Sequence, residues 1–244
     1  MTLRRSQDTT LEVELLDQRA SRGDATRQAL MRAAERLFAE KGGNNVTIRE
    51  IVETAGQKNE SALQYHFKNL EGLIAATHRY RNDQIVEVRR RCLDELVIHP
   101  ELSELRDLVR VMVLPTFELA GKHADFRRYV RGFSLSLAAS DLPPTISVRR
   151  GVEETDERLG ELLRAALPQL DDESFRRRLD AAIRYVSVSV YGHAQQPNAF
   201  RGKTGELFYH HLIDTLVGLL SAKESPETRA LSREVAIFEG RLSN

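Results

Sequence analysis

The sequence contains little of the cysteine, tryptophan and net charge that mark several classes of protein. Its 244 residues include one Cys and no Trp, and 36 Lys and Arg residues balance 36 Asp and Glu residues. The single cysteine, Cys92, excludes an internal disulfide framework and favours a reducing, cytoplasmic location. The zero net charge excludes a generally basic coat for nucleic acid, although a local basic face is still allowed.

Long apolar runs are also absent. No stretch reaches the roughly 18 uninterrupted apolar residues that a membrane-spanning helix needs. Residues 207–220 come closest and are interrupted by His210, His211 and Asp214. The N-terminus carries Arg4 and Arg5 without the apolar core of a signal peptide. We therefore expect a soluble intracellular protein without a membrane partner, and the 41% hydrophobic content predicts a folded core rather than disorder.

Apolar residues recur with helical spacing along most of the chain, and no segment has a convincing strand pattern. The run from Tyr185 to Tyr191 alternates Val and Ser, but apolar residues every three or four positions favour a long helix over 172–194. We predict an all-α fold in four parts. These are a flexible tail (1–23), a three-helix helix-turn-helix DNA-binding domain (24–69), a larger helical effector-binding and dimerisation domain (70–221) and a C-terminal tail (222–244) with room for a helix over 227–239.

The N-terminal domain is predicted from its start and stop signals. Asp24 is a good N-cap for a first helix, Thr47 and Glu50 form a capping box for a second, and glycines follow both helices. A third, short helix is expected over about 60–65 behind Asn59, and Asn69 caps a long fourth helix that ends near residue 98. Three helices with a tight glycine turn before the third are typical of helix-turn-helix DNA readers.

The third helix has an inward and an outward face. At about 100° per residue, Leu63 and Phe67 share the side that would pack on the first two helices. The other side presents hydroxyls, an amide, a small apolar group and a cation, which suit base edges and phosphates. These outward groups belong to Lys58, Ser61, Ala62, Gln64 and Tyr65.

Three stretches resemble the DNA-binding domain of the tetracycline-repressor (TetR) family. They are AAERLFAEKG (33–42), VTIREIVETAG (46–56) and YHFKNLEGLI (65–74), and they have the family's order and approximate spacing. The resemblance implies a sequence-specific transcriptional regulator that binds a double-stranded DNA operator. The rest of the chain resembles the family only in its helical pattern and its length.

The resemblance also implies roles for individual residues. It assigns phosphate contacts to Thr47, Tyr65, His66 and Lys68, and a base or phosphate contact to Arg49. It assigns base reading to Lys58, Ser61, Ala62 and Gln64. Simpler interpretations stay open: Thr47 as a helix cap, His66 as a packed core residue and Arg49 as an ordinary surface residue.

The helix predicted over 204–221 is apolar around most of its circumference, so it is expected to be buried on more than one side. We assign Leu212, Leu216 and Leu220 to a dimer interface in which this helix and helix 172–194 form a four-helix bundle across a two-fold axis, as in the TetR family. The alternative is a helix buried within one subunit.

Aromatic residues of the larger domain are candidates for an effector pocket, because sensor pockets are mostly apolar with a few polar groups. We assign Phe117, Phe133, Tyr185 and Tyr191 to it, with an ordinary helical core as the alternative. The resemblance implies that a small-molecule effector bound there releases the protein from DNA, and repression is the family's default.

Catalytic motifs are missing. Gly202, Lys203 and Thr204 resemble the end of a phosphate-binding loop, but Pro197 occupies the position of the required glycine. There is no HExxH, no Cys pair and no GxSxG, so we predict no enzymatic activity, no cofactor and no metal site. Two alternatives remain: a helix-turn-helix regulator that responds to a protein partner instead of a small molecule, and an all-helical enzyme or ligand carrier.

Overall fold

The computed structural model describes residues 23–42, 45–98, 104–138 and 154–242. Within these ranges it contains ten helices and no strand. The helices are α1 (23–41), α2 (Ile48–Thr54), α3 (Ser61–Phe67), α4 (Leu70–Ile98), α5 (Leu105–Lys122), α6 (Ala124–Ala138), α7 (Glu154–Ala165), α8 (Asp172–Ala194), α9 (Gly202–Ser221) and α10 (Pro226–Leu242). The predicted all-α fold, with a helix-turn-helix followed by a helical region, is confirmed. The predicted N-terminal tail lies outside the described residues except for Gly23, and the helix expected over 227–239 in the C-terminal tail is present as α10.

The predicted caps of α2 and α4 are present, whereas Asp24 lies within α1, which is already helical at Gly23, and is not its N-cap. The Thr47 hydroxyl accepts a hydrogen bond from the Glu50 amide at 3.3 Å, and the Glu50 carboxylate accepts one from the Thr47 amide at 2.9 Å. The Asn69 side chain accepts a hydrogen bond from the Gly72 amide at 2.8 Å and so caps α4. Each cap satisfies an amide that the first helical turn leaves unpaired.

The third helix differs from its prediction at both ends. It extends to Phe67 instead of residue 65, and its N-cap position is Glu60. Asn59 still contributes, because its side-chain oxygen accepts a hydrogen bond from the Ser61 amide at 3.1 Å. The helix stops at Lys68, whose φ of 70° lies in the left-handed region that interrupts helical hydrogen bonding.

The described residues pack as two compact units. Unit 1 contains the residues up to Gln84 together with His123–Phe133, and unit 2 contains Ile85–Lys122 and the residues from Ser134 onwards. The predicted domain border followed residue 69. The compact unit is larger because the first half of α4 and most of α6 add their buried side chains to the same core as α1–α3.

The core of unit 1 depends on a close approach between α1 and α6. Phe38 of α1 and Phe133 of α6 are buried with ring centroids 4.8 Å apart. A Cβ atom on Gly132 would lie 3.0 Å from the Cβ atom of Phe38 and 3.0 Å from the amide nitrogen of Ala39. Gly132 therefore lets the two helices approach at this point.

In unit 2, α8 and α9 pack against each other in opposite directions. At one end the Arg178 guanidinium donates to the carbonyl of Leu220 at 2.8 Å, and at the other end the His193 ring stacks on Phe208 with centroids 3.9 Å apart. Helix α9 also packs on α5.

The three leucines assigned to a dimer interface lie inside unit 2. Leu212, Leu216 and Leu220 are at most 1% exposed in the single chain. Their spacing places them on the inward side of α9, so they stabilise the core of their own subunit and are not available to a partner. For these residues the burial favours the alternative of a helix side buried within one subunit.

Among the described residues, none of the helices is both long enough and apolar enough to cross a membrane.

Candidate nucleic-acid interface

The outward face of α3 is an exposed polar strip with an aromatic ring. Ser61, Gln64, Tyr65 and Lys68, spaced at i, i+3, i+4 and i+7, are all exposed, and we call them the α3 strip. Tyr65 is 84% exposed, whereas Leu63 on the opposite side is fully buried. The helix is therefore held through its apolar side, and the α3 strip is accessible along its whole length.

The position of α3 is fixed by its two neighbours. The α2–α3 connection turns at Gly56, whose φ of 69° suits glycine. After α3, the chain turns at Lys68 directly into α4, and a Cβ atom on Gly72 would lie 1.9 Å from the carbonyl oxygen of Phe67. Only a residue without a side chain fits at position 72. Sequence reasoning missed Gly72, although a glycine in the first turn of a predicted helix was a visible signal.

Cations around the α3 strip fall into two groups. Arg49 is exposed but bonded to Glu53 at 2.9 Å, and the hydrogen bond to this carboxylate raises the pKa of Arg49. Lys41 is bonded to Glu50 at 2.6 Å, and this bond together with those from Thr47 lowers the pKa of Glu50 to about 2. Lys58 and Lys68, both exposed, form no ion pair with the described residues. Both lysines are therefore ready to meet an anion.

Three further residues of the predicted set have structural surroundings of their own. Thr47 caps α2 and is also exposed, so its capping role is confirmed and its phosphate contact stays a prediction. His66 is half-buried beside Tyr65, with ring centroids 4.9 Å apart in an edge arrangement. Ala62 is half-buried. DNA contacts of all nine predicted residues remain predictions.

The residues assigned to an effector pocket do not lie in one unit. Phe133 belongs to the core of unit 1, where its ring is 5.5 Å from Tyr129 and 5.3 Å from His78. Phe117 is half-buried in unit 2, with its ring 4.8 Å from Tyr209. Tyr185 and Tyr191 are half-buried on α8.

Two open grooves occur on unit 2. One, of about 600 Å³, runs along α7 from Gly160 to Pro168, and the other, of about 480 Å³, lies between the start of α8 and the start of α10. Neither is lined by any of the four predicted aromatic residues. The shared pocket stays a prediction.

In the part of the chain that the structure describes, no group of three or more His, Cys, Asp and Glu side chains is placed to hold a metal ion.

An exposed reading helix held behind a tight turn by a capped partner helix defines the class: a helix-turn-helix DNA-binding protein. Residues 30–77 match the profile of the family described as bacterial regulatory proteins, tetR family. The match extends from α1 into the first turns of α4, so this segment of the chain is similar to the DNA-binding domain of that family.

The solved structures that are similar to this chain include the following two. A TetR-like transcriptional regulator from Rhodococcus sp. RHA1 is 20% identical, with a TM-score of 0.48 over 80% of this chain and 93% of that chain. The structure of RolR (NCGL1110) in complex with the ligand resorcinol is 16% identical, with a TM-score of 0.43 over 84% of this chain and 98% of that chain. No curated protein matches the chain.

Proposed function

We propose that the chain acts as a homodimeric repressor that binds an operator through the α3 strip and leaves it when a small-molecule effector binds unit 2. The observation that carries the proposal is the α3 strip itself. A tyrosine that is 84% exposed stands between an amide and a lysine on the outer side of a firmly anchored short helix.

The polar groups in and beside the α3 strip suit two kinds of DNA contact, with base edges and with phosphates. Gln64 carries both a donor and an acceptor, which suits the edge of a base pair in the major groove. Lys68, at the end of α3, carries charge for phosphates, which fix the register of a reading helix without specifying sequence, and Lys58, before α3, is assigned to base reading. The chain has no net charge, so affinity depends on the placement of these cations rather than on their number.

The dimer rests on the outward sides of α8 and α9. Val188 of α8 is 50% exposed and Leu207 of α9 is 70% exposed, although both are large apolar residues. Because the two helices run in opposite directions, these residues lie toward the same end of the pair. Two such pairs related by a two-fold axis would form a four-helix bundle, and two reading helices would double the length of DNA that is read.

The effector response is supported by the aromatic residues of unit 2. Phe117 packs with Phe200 and Tyr209, with ring centroids 5.9 Å and 4.8 Å away, and this cluster joins α5 to α9. An apolar ligand that inserts near the cluster would favour one arrangement of these helices over another. Such a ligand weakens DNA binding only by its differential affinity for the two arrangements.

The test of DNA binding uses duplexes that the wild-type protein selects from a random pool, long enough for two half-sites one helical turn apart. Fluorescence anisotropy then compares the wild type with Tyr65→Ala combined with Lys68→Ala. We expect this double variant to lose specific binding while its circular dichroism and its size in solution are unchanged, because both side chains are exposed.

The matched control is Leu231→Ala combined with Lys203→Ala, which removes an exposed apolar side chain and an exposed cation outside unit 1. It should bind DNA as the wild type does. Unchanged DNA affinity in the Tyr65 and Lys68 variant would refute the placement of the reading surface. A metabolite screen by thermal shift tests the effector: a compound that raises Tm and weakens DNA binding supports release, and a broad screen without such a compound favours a protein partner.

A further inference from the structure

Unit 1 contains a buried arginine that the sequence analysis did not single out. Arg81 of α4 is 1% exposed and Glu35 of α1 is 2% exposed. The Arg81 guanidinium donates from Nε and Nη2 to the two carboxylate oxygens of Glu35, each at 2.7 Å. Its Nη2 also donates to Asp125 of α6 at 2.9 Å, and its Nη1 donates to Gln84 at 3.0 Å. We call Arg81, Glu35 and Asp125 the Arg81 clamp.

Arg81 stays charged in this environment. Burial lowers its pKa, but the hydrogen bonds and charges of Glu35 and Asp125 outweigh burial, so the pKa is raised. The guanidinium also lies within 6.0 Å of the ring centroids of Tyr80, Phe126 and Tyr129. A planar cation held by two carboxylates in this way has few alternative orientations.

Stability alone does not explain the clamp. Removing two charges from water is costly, and apolar residues of similar volume often stabilise a core as well as a buried ion pair does. The clamp instead constrains the relative orientation of the helices, because a bidentate pair requires a defined distance and angle between the helices that carry it. The three members come from α1, α4 and α6, so one side chain fixes three helices of unit 1.

Helices α1 and α3 meet within unit 1. The apolar sides of both helices are buried in the same unit, and the Arg27 guanidinium of α1 lies 5.5 Å from the centroid of the Phe67 ring. A change in the angle between α1 and α4 would therefore carry α3 with it and strain the tight turn at Gly72. Major-groove contacts depend on the angle of the reading helix much more than non-specific phosphate contacts do.

We propose that Arg81 is a positioning residue for operator recognition: its clamp to Glu35 and Asp125 sets the angle at which α1 presents α3, without touching DNA. The role rests on the proposed function of the α3 strip. Its signature is a loss of specificity rather than of fold, because phosphate contacts survive a small rotation and base contacts do not.

The experiment replaces both buried partners at once, Arg81→Met with Glu35→Leu, so that no unpaired charge remains in the core; Asp125, whose side chain is 42% exposed, keeps access to water. We expect Tm to be equal to or above that of the wild type. The affinity for the selected duplex should fall roughly tenfold, as is typical for coupling through structure, while the affinity for a scrambled duplex and its salt dependence stay unchanged.

Two further variants keep the test decisive if the apolar pair fails to fold. Arg81→Lys keeps the charge but cannot form the bidentate pair, and Asp125→Asn removes only the third partner; each should lower the ratio of specific to non-specific affinity by a smaller factor. The matched control replaces the largely buried pair of unit 2, Arg89→Met with Asp156→Leu, and should leave that ratio unchanged.

The outcomes separate the hypotheses. Folded clamp variants with an unchanged ratio overturn the positioning role, and so does a parallel loss of both affinities that follows the folded fraction. A wild-type protein without any sequence preference would instead overturn the proposed function, and the role of Arg81 with it.

Discussion

At the scale of single residues, the side chains of α3 separate clearly into buried and exposed ones. Leu63 is fully buried, whereas Tyr65, two positions later, is 84% exposed. Tyr65 adds little to the fold, because most of its ring stays in water although it lies edge-on beside His66. The residue is best understood as a group kept for a partner.

His78 gives a prediction for pH dependence. Its ring nitrogen Nδ1 lies 3.0 Å from the Tyr129 hydroxyl, and burial lowers the pKa of His78 from 6.5 to about 4. The unfolded chain therefore takes up a proton at a higher pH than the folded one does, so stability is complete above pH 6.5 and declines as the pH falls toward 4.

Urea unfolding at pH 7 and pH 5 measures this effect. We expect His78 to account for a loss of about 2 kcal/mol between the two values, and a His78→Phe variant should show a correspondingly smaller loss. The change in the free energy of unfolding between pH 7 and pH 5 is compared for the wild type and the variant, which removes the contribution of the carboxylates that both proteins share. An equal change in the two proteins would mean that His78 does not titrate differently in the folded and unfolded states.

The sequence predicts residues of α3 well and the Arg81 clamp not at all. A rotation of about 100° per residue suffices to separate Leu63 from Tyr65, because both lie on one short helix. Arg81, in contrast, is of a residue type that is usually exposed to solvent. Its partners Glu35 and Asp125 are 46 and 44 positions away in the chain, so only the packing of three helices reveals that the three side chains meet.

At the scale of helices, the junction between α3 and α4 depends on Gly72. We expect Gly72→Ala to destabilise unit 1 and to reduce operator binding, because the new Cβ atom would lie 1.9 Å from the carbonyl oxygen of Phe67 and the backbone would have to move. Thermal unfolding and anisotropy with the selected duplex measure both effects.

Gly160 provides the control for this substitution. It is also a helical glycine, on α7, and a Cβ atom there meets nothing within 4 Å. Gly160→Ala should therefore stabilise the protein by roughly 0.5–1 kcal/mol through helix propensity and leave DNA binding as it was. Equal effects of the two substitutions would contradict the steric argument.

Helix ends were predicted where a local signal marks them. The capping box of α2 and the cap of α4 lie within three residues of the amides they satisfy, so the sequence reveals them. The end of α3 was missed because Lys68, rather than glycine, occupies the left-handed position. Unit 1 extends beyond residue 69 because the first part of α6 returns to it from residue 123, and no local sequence pattern indicates such a return.

At the scale of the whole molecule, the proposed dimer predicts different effects for charges placed on the exposed side and on the buried side of the α8–α9 pair. Val188→Arg combined with Leu207→Arg should give a folded monomer, because both residues are exposed in the single chain. Leu216→Arg should unfold unit 2 instead, since Leu216 is fully buried and the charge would have no partner. Light scattering after size exclusion and circular dichroism distinguish the two results.

A native dimer in the Val188 and Leu207 variant would place the interface elsewhere. The helical fold itself followed from apolar periodicity over the whole chain. The residues of the proposed interface could not be predicted in the same way. Helix α9 is apolar on several sides, and periodicity alone does not show which side meets the subunit's own core.

Unit 1 is built from two separate stretches of the chain, and this affects how it can be made. Phe38 can pack against Phe133 only after residue 133 has been synthesised. Unit 1 therefore cannot finish folding when only the residues up to Gln84 have left the ribosome. A fragment that ends at Gln84 would expose the apolar sides of α1 and α4 that α6 covers. A fusion protein that uses unit 1 as its DNA-binding domain would therefore also need the first part of α6.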